Sequence, residues 1–224
     1  GTFRYQILRY PIYYWRYGLQ SEMVEENTGD LNENGKAEIT FIPEVEGNAY
    51  WYDVQVGVFD AAFRGVQKSA HIKVLMGDFA LVLQSDRYFV GVNHDLHYTV
   101  EAFDAEEKKV DVGKVYATIY LLTWDKEKKD WNETSVKLFS FEIINGKADI
   151  HFALEKPGYY RLHCQTRDEK GNTITASDTF YVTGSGFYLP STGVELHLDK
   201  KEYKVGETAN ILVVPPVAEE FPHL

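Results

Sequence analysis

Apolar and polar residues alternate with a period of two along most of the chain, the signature of strands with one buried face. The segment KAEITFI at 36–42 sets Ala37, Ile39 and Phe41 against Lys36, Glu38 and Thr40. The runs YWYDVQVGVFD at 50–60 and QKSAHIKVLMG at 67–77 continue the pattern. Seven strands are then predicted between 78 and 184, at 79–85, 96–103, 115–122, 135–143, 147–154, 158–167 and 173–183. A charged loop (104–113) and a charged hairpin tip, DKEKKD at 125–130, separate some of them. Two more strands are expected within 194–216. No segment shows a helical period with caps. The expected fold class is all-β, a tandem array of seven-stranded antiparallel β-sandwiches.

The remaining segments are less regular. Residues 1–17 (GTFRYQILRYPIYYWRY) are strand-like and aromatic-rich, and Pro11, which has no N–H to donate, marks an edge strand or the end of one. Tyr10, Tyr13, Tyr14, Trp15 and Tyr17 could form a platform for a sugar or a partner; core and interface packing is the more ordinary use of such residues. Residues 18–35 are polar and read as a loop or linking strand. Asp30, Asn32 and Asn34 alternate as in a calcium loop, but no helices flank them and no glutamate stands at the twelfth position, so a solvated turn is expected. GSGFYLPST at 185–193 reads as a linker, and VAEEFPHL at 217–224 has no pattern.

The chain repeats itself. GKAEITF at 35–41 matches GKADIHF at 146–152, an offset of 111 that also sets Tyr5 on Tyr116. Phe59-Asp60 followed by Gly65 recurs as Arg167-Asp168 followed by Gly171, and SAHIKVLMG from Ser69 recurs as SDTFYVTG from Ser177. In the other direction, DRYFVG at 86–91 matches KEYKVG at 201–206. Repeats of this kind set the architecture. Three copies of a unit of about 110 residues are expected. Residues 1–77 form a partial unit lacking its first two strands, 78–184 a complete sandwich, and 185–224 a linker with the first strands of a further unit. The chain reads as a window on a longer array, in which strands near 194–214 could complete the 1–77 unit of a neighbouring copy by strand addition.

Composition narrows the function. The net charge is -11, and no basic stripe interrupts it, which disfavours nucleic acid and anionic membrane surfaces. A single cysteine, Cys164, precludes a disulfide within the chain. No run is long and apolar enough to form a membrane-spanning helix, and no signal peptide opens the sequence.

Candidate chemistry is sparse. Cys164 shares strand parity with Tyr160 and Leu162 and is expected in the core, as a small hydrophobe rather than a nucleophile. The histidines are His71, His94, His97, His151, His163, His197 and His223. His94 and His97 have no acidic or cysteine partner at a zinc-site spacing. His151 and His163 are expected on the polar face of adjacent strands, near each other. Glu25/Glu26 and Glu106/Glu107 read as solvated loop charges rather than a glycosidase pair. Asn132-Glu133-Thr134 is a sequon that matters only in a secreted eukaryotic protein. No phosphate-binding loop, nucleophile elbow or His-Glu-x-x-His motif occurs. No catalytic, cofactor-binding or metal residue is assigned, no cofactor is expected, and the chain is read as not an enzyme.

Several stretches together resemble the macroglobulin-like domains of the alpha-2-macroglobulin family, in particular its bacterial branch. The first is YKVGETA at 203–209, similar to the opening of such a domain. The second is GKADIHF with PGYYRLHCQTRDEKGN, within 146–172, similar to the closing hairpin: an apolar strand, Pro-Gly-x-Tyr, then Asp-x-x-Gly-Asn. The third is RYPIYYW at 9–15, similar to the aromatic third strand. The resemblance implies fibronectin- or immunoglobulin-like sandwiches from a large protease inhibitor. In that family a protease cleaves a bait region, the molecule closes around it, and in many members a Cys-x-Glu-Gln thioester tethers the target. Here the cysteine lies in His163-Cys164-Gln165-Thr166, which is not that motif, and no bait region is identifiable. The implied role is scaffold, with proteases as partners of the full-length protein and neighbouring macroglobulin-like domains as partners of this chain. The implied location is extracellular or periplasmic, with a possible lipid anchor in the full-length protein. The alternatives are an extracellular adhesion or glycan-binding array of immunoglobulin-like repeats and the accessory β-domain of a secreted hydrolase.

Overall fold

The structure is a computed structural model; it describes residues 1–12, 21–45, 48–60, 62, 64–185, 194–200 and 202–214. Among these residues there is no helix, so the all-β expectation holds. A first sheet contains β1 (Thr2–Pro11), β2 (Glu22–Asp30), β3 (Tyr50–Phe59) and β4 (Gly65–Val74) in the order β2-β1-β3-β4. A sandwich follows. Its smaller sheet is β10-β7-β5, built from β5 (Phe79–Ser85), β7 (Leu96–Asp104) and β10 (Lys147–Phe152). Its larger sheet is β6-β12-β11-β8-β9, built from β6 (Phe89–Gly91), β8 (Val112–Asp125), β9 (Asp130–Ile143), β11 (Gly158–Arg167) and β12 (Thr173–Thr183). β13 (Glu195–Leu198) and β14 (Ile211–Val214) form a separate antiparallel pair. The pairings are antiparallel except for the three-residue β6, which runs parallel to β12.

Strand alternation builds the sandwich core. Leu96, Tyr98, Val100 and Ala102 of β7 point inward, as do Val115, Ala117 and Ile119 of β8 and Tyr160, Leu162 and Cys164 of β11; all are at most 2% exposed. Each large side chain buried in this way contributes about 1.5–3 kcal/mol. Tyr98 also crosses between the sheets, its hydroxyl donating to Asp178 Oδ2 at 3.0 Å.

The first sheet reproduces the larger one strand for strand, β2-β1-β3-β4 against β9-β8-β11-β12. Tyr52 pairs with Ile72 as Tyr160 pairs with Phe180, 108 residues on. Both tyrosines hold an upstream carbonyl, Tyr52 that of Glu44 and Tyr160 that of Lys156, as in the tyrosine corner of immunoglobulin-like sandwiches. Asp60 and Asp168 cap equivalent hairpins, each accepting backbone N–H groups up to four residues ahead, from Arg64 and Asn172. Gly35 and Gly146 have φ of 70° and 71°, the left-handed conformation their turns require.

Two expectations change and two are narrowed. Residues 36–42 join no ladder, although Ile39 and Phe41 pack on the first core. A strand needs a paired neighbour; β10, the repeat counterpart of this segment, finds one in β7. Of the two readings of 18–35, loop or linking strand, the strand holds for Glu22–Asp30, at the edge of its sheet. Of the two readings of Pro11, an edge strand or a strand end, the end holds: Pro11 is the last residue of β1, which lies between β2 and β3. His151 and His163 lie on strands of different sheets, since the chain changes sheet between β10 and β11.

Candidate functional site

The groups with catalytic potential are engaged in structure. Cys164 is fully buried among apolar neighbours, and burial pushes its thiol pKa up to about 12, so it is not a thiolate at neutral pH. His163 lies beside Ser177 Oγ at 2.8 Å, and burial, then the Arg161 charge, lowers its pKa. His97 and His151 stack across the β7–β10 ladder with ring centroids 4.6 Å apart. Each meets its own carboxylate, His97 Nε2 to Asp149 Oδ1 at 3.0 Å and His151 Nδ1 to Asp95 Oδ2 at 2.7 Å. Hydrogen bonds from Thr99, Lys147 and His97 hold Asp149 down at about 2. His94 turns to the Val92 carbonyl, 3.1 Å away. Among the described residues no three His, Cys, Asp or Glu side chains are grouped to hold a metal ion.

The acidic residues are equally committed. Glu25 and Glu26 stand on β2, where they bind the Tyr5 hydroxyl and the Arg4 guanidinium. Glu107 pairs with Lys73 Nζ at 2.8 Å, while Glu106 lies in the exposed turn after β7. Asn32 Oδ1 accepts the N–H groups of Asn34 (3.0 Å) and Lys36 (2.9 Å), which makes this segment a side-chain-capped turn. Tyr10, next to last in β1, is half-buried; Tyr13, Tyr14, Trp15 and Tyr17 lie outside the described residues.

What the residues do build is a pair of joints. At the first, Asp168 accepts Asn172 N and Nδ2 at 2.8 Å each and the Asp78 N–H at 3.1 Å. These hydrogen bonds, the Asn172 side chain foremost, hold its pKa below the usual range. Lys170 adds a bond to Asp78 at 2.6 Å, Asn48 Oδ1 accepts Ser177 N at 3.2 Å, and Lys73 reaches over to Glu107. Together they tie β4 and the turn after it to the sandwich.

The second joint is aromatic. A row of rings, Trp124, Trp131, Tyr159 and Tyr181, crosses the larger sheet with successive centroids 4.9 to 5.4 Å apart, and His197 of β13 continues it at 4.8 Å. Leu212 and Val214 of β14 pack on the same cluster, and Tyr88 N–H donates to the Asp199 carbonyl at 2.8 Å. The buried Asp199 carboxylate accepts Asn210 N and Nδ2 and the Tyr203 hydroxyl. Burial raises its pKa, and those hydrogen bonds more than offset the rise. Reading the sequence for core-facing parity passed over this row; its signal was the outward parity of Tyr159 and Tyr181, one residue out of step with Tyr160 and Phe180.

Comparison with known proteins agrees with this architecture. No family model matches the chain. Over 71 residues, 32% of the chain, it is 34% identical to an alpha-2-macroglobulin of Ralstonia nicotianae, of which the match covers 4%. The native form of Escherichia coli alpha-2-macroglobulin superposes on 96% of the chain with a TM-score of 0.62 at 14% identity. The trypsin-activated form of that protein superposes on 94% with a TM-score of 0.60 at 17% identity. The chain spans 16% of either solved structure. The resemblance read from YKVGETA, the closing hairpin and RYPIYYW is thereby borne out, and the fold is that of consecutive macroglobulin-like domains.

Proposed function

We propose that this chain, a stretch of macroglobulin-like sandwiches of the alpha-2-macroglobulin type, is a scaffold segment of a protease-trapping inhibitor. We divide it into a partial unit at 1–77, a complete sandwich at 78–184 and the opening of a third unit at 185–224. Its work is mechanical: to hold neighbouring domains in register while the parent protein closes around a protease that has cut its bait. The observation that carries this reading is the pair of joints. Asn48 with Ser177, Lys73 with Glu107, and the aromatic row with His197 spend polar and aromatic groups on fixing one unit against the next. Among the described residues Cys164 is buried, and His71, His94, His97, His151 and His163 are bound to neighbouring side chains or carbonyls. The solved trypsin-activated E. coli relative supports proteases as partners of the parent protein. In this reading the chain works outside the cytoplasm, in the extracellular space or the periplasm, and is not an enzyme. At its Tyr181 end the aromatic row is occupied by His197, Leu212 and Val214 of the β13–β14 pair, which serves a joint between units rather than a glycan platform.

The test uses the full-length protein. Mixed with trypsin, it is expected to shift in native-gel mobility on cleavage. The bound trypsin should keep its activity on a small chromogenic substrate and lose it on a large protein substrate. Cleavage with no mobility change, and equal loss on both substrates, would overturn the reading.

A further inference from the structure

We propose that His97 and His151 form a two-imidazole chelate for a divalent transition ion, copper(II) or zinc(II), on the outer face of the smaller sheet. The site lies wholly within the sandwich and does not depend on protease trapping.

Strand register builds the pair. His97 of β7 and His151 of β10 are directly opposite in an antiparallel ladder. Side chains so placed share a face, with Cβ atoms about 4.5–5.5 Å apart. Their neighbours Leu96, Tyr98, Ile150 and Phe152 are buried on the core side, so alternation turns both imidazoles to the outside. The two side chains are 30% and 57% exposed, within reach of an ion in solution.

Hydrogen bonding selects the nitrogen that stays free on each ring. A carboxylate oxygen only accepts. Asp149, with its pKa held at about 2, is a carboxylate and takes the N–H of His97 Nε2 at 3.0 Å. Asp95 Oδ2 takes the N–H of His151 Nδ1 at 2.7 Å. In a neutral ring the other nitrogen then carries the lone pair. Those atoms are His97 Nδ1 and His151 Nε2, and neither is hydrogen-bonded among the described residues. Histidines that bind metals characteristically give their second N–H to a carboxylate, which fixes the tautomer and makes the ligand nitrogen more basic. Here that arrangement occurs on two adjacent strands, side by side. Asp149 is itself fixed, by Thr99 Oγ1 at 2.9 Å and Lys147 Nζ at 3.1 Å, so it acts as a positioning residue rather than a ligand.

The rings now stack with centroids 4.6 Å apart and planes at 21°. Binding requires them to tilt toward one ion, at about 2.0–2.1 Å from each nitrogen. The terminal ring torsion of histidine is broad, so the tilt costs little. Two protein nitrogens leave the remaining positions to water, and the ion is held more loosely than at a three- or four-ligand zinc site. Imidazole favours copper and zinc, with copper(II) first, whereas magnesium and calcium take oxygen ligands. The net charge of -11 attracts cations in general. An ion bound to both rings ties β10 to β7, and so stabilises that ladder by mass action.

The experiment titrates the chain with copper(II), zinc(II) and magnesium at neutral pH, followed by calorimetry. One site is expected, tighter for copper than for zinc and silent for magnesium. The copper electron paramagnetic resonance spectrum should carry two imidazole nitrogens. His97→Ala and His151→Ala should each raise the dissociation constant at least about tenfold. Hydrogen exchange in β8 and β11 should not change in either variant, which establishes that both fold. With zinc at 100 times its dissociation constant, exchange in β10 should slow by up to about 100-fold in the parent chain alone. Binding that persists in the double variant would overturn the proposal and leave an adventitious ion only. A single imidazole in the copper spectrum, or no heat from copper or zinc, would overturn it as well.

Discussion

Phe180 and Ile72 occupy equivalent strand positions in two sheets of the same order, and truncating each to alanine separates a closed core from an open one. Phe180 is fully buried, its ring stacked on Tyr160 at 5.6 Å and edge-on to Tyr98 at 6.1 Å. Phe180→Ala removes a whole aromatic contact set from a site that cannot collapse, at a cost of about 3–5 kcal/mol. Ile72 is 40% exposed, so the transfer loss falls to roughly 60% of that for a buried isoleucine and no closed cavity remains, which leaves about 1–2 kcal/mol. Several sheets in one chain need not unfold in a single step, so the measurement must resolve them. Hydrogen exchange read by mass spectrometry does so, since peptides from β11–β12 and from β3–β4 report their own opening free energies. The expected result is a large loss confined to β11–β12 for Phe180→Ala and a small one confined to β3–β4 for Ile72→Ala. Equal losses in a monomeric sample would refute the claim that the first core is open.

Other outcomes follow from single residues. Cys164 should resist a thiol reagent at pH 8 in the folded protein and react at once in denaturant, because burial pushes its thiol pKa up to about 12; rapid native labelling would contradict the core placement. Gly35→Ala should cost about 1–2 kcal/mol from the left-handed φ alone, with nothing within 4 Å of the new methyl. Gly146→Ala should cost more in urea unfolding, because its Cβ would lie 2.3 Å from Lys109 Cβ and 3.1 Å from Lys109 Cα. Asp168 has a folded-state pKa below its unfolded value, so its contribution is complete above the ordinary carboxylate range, about 3.9, and is lost as pH falls through the folded value. Asp168→Asn should therefore destabilise the chain at neutral pH, with the difference from the parent vanishing in acid unfolding curves at the lowest pH.

The sandwich was legible because its strands obey one rule at a time. In β7 and β11 every second residue is apolar and buried, so parity alone set Leu96 to Ala102 and Tyr160 to Cys164 inward. β2 was illegible for the opposite reason. EMVEENTGD is polar on both faces because it lies at a sheet edge, and its glutamates serve as partners for Tyr5 and Arg4 rather than as loop charges. Pro11 pointed to an edge or to a strand end; only the end was right, since a proline at the last position leaves the interior of the strand free to pair on both sides. His151 and His163 were read as neighbours from their closeness in sequence. The turn with Pro157 carries the chain from one sheet to the other, and the partner across from His151 is His97, more than fifty residues earlier. The two joints were invisible for a related reason: outward-facing Tyr159 and Tyr181, and the polar Ser177 and Glu107, look like ordinary surface until the neighbouring unit is laid against them.

The segment at 36–41 carries the sharpest form of this limit. Its alternation is as clean as that of β10, and six of its seven neighbours in the GKAEITF and GKADIHF pair match in type. Alternation records which face of a segment is apolar; it carries no information about whether a second strand stands beside it. Ile39 and Phe41 obey the pattern and pack on Tyr52 and its neighbours, while the N–H and C=O groups beside them take no part in a ladder. Backbone groups of this kind are satisfied by water or by another strand.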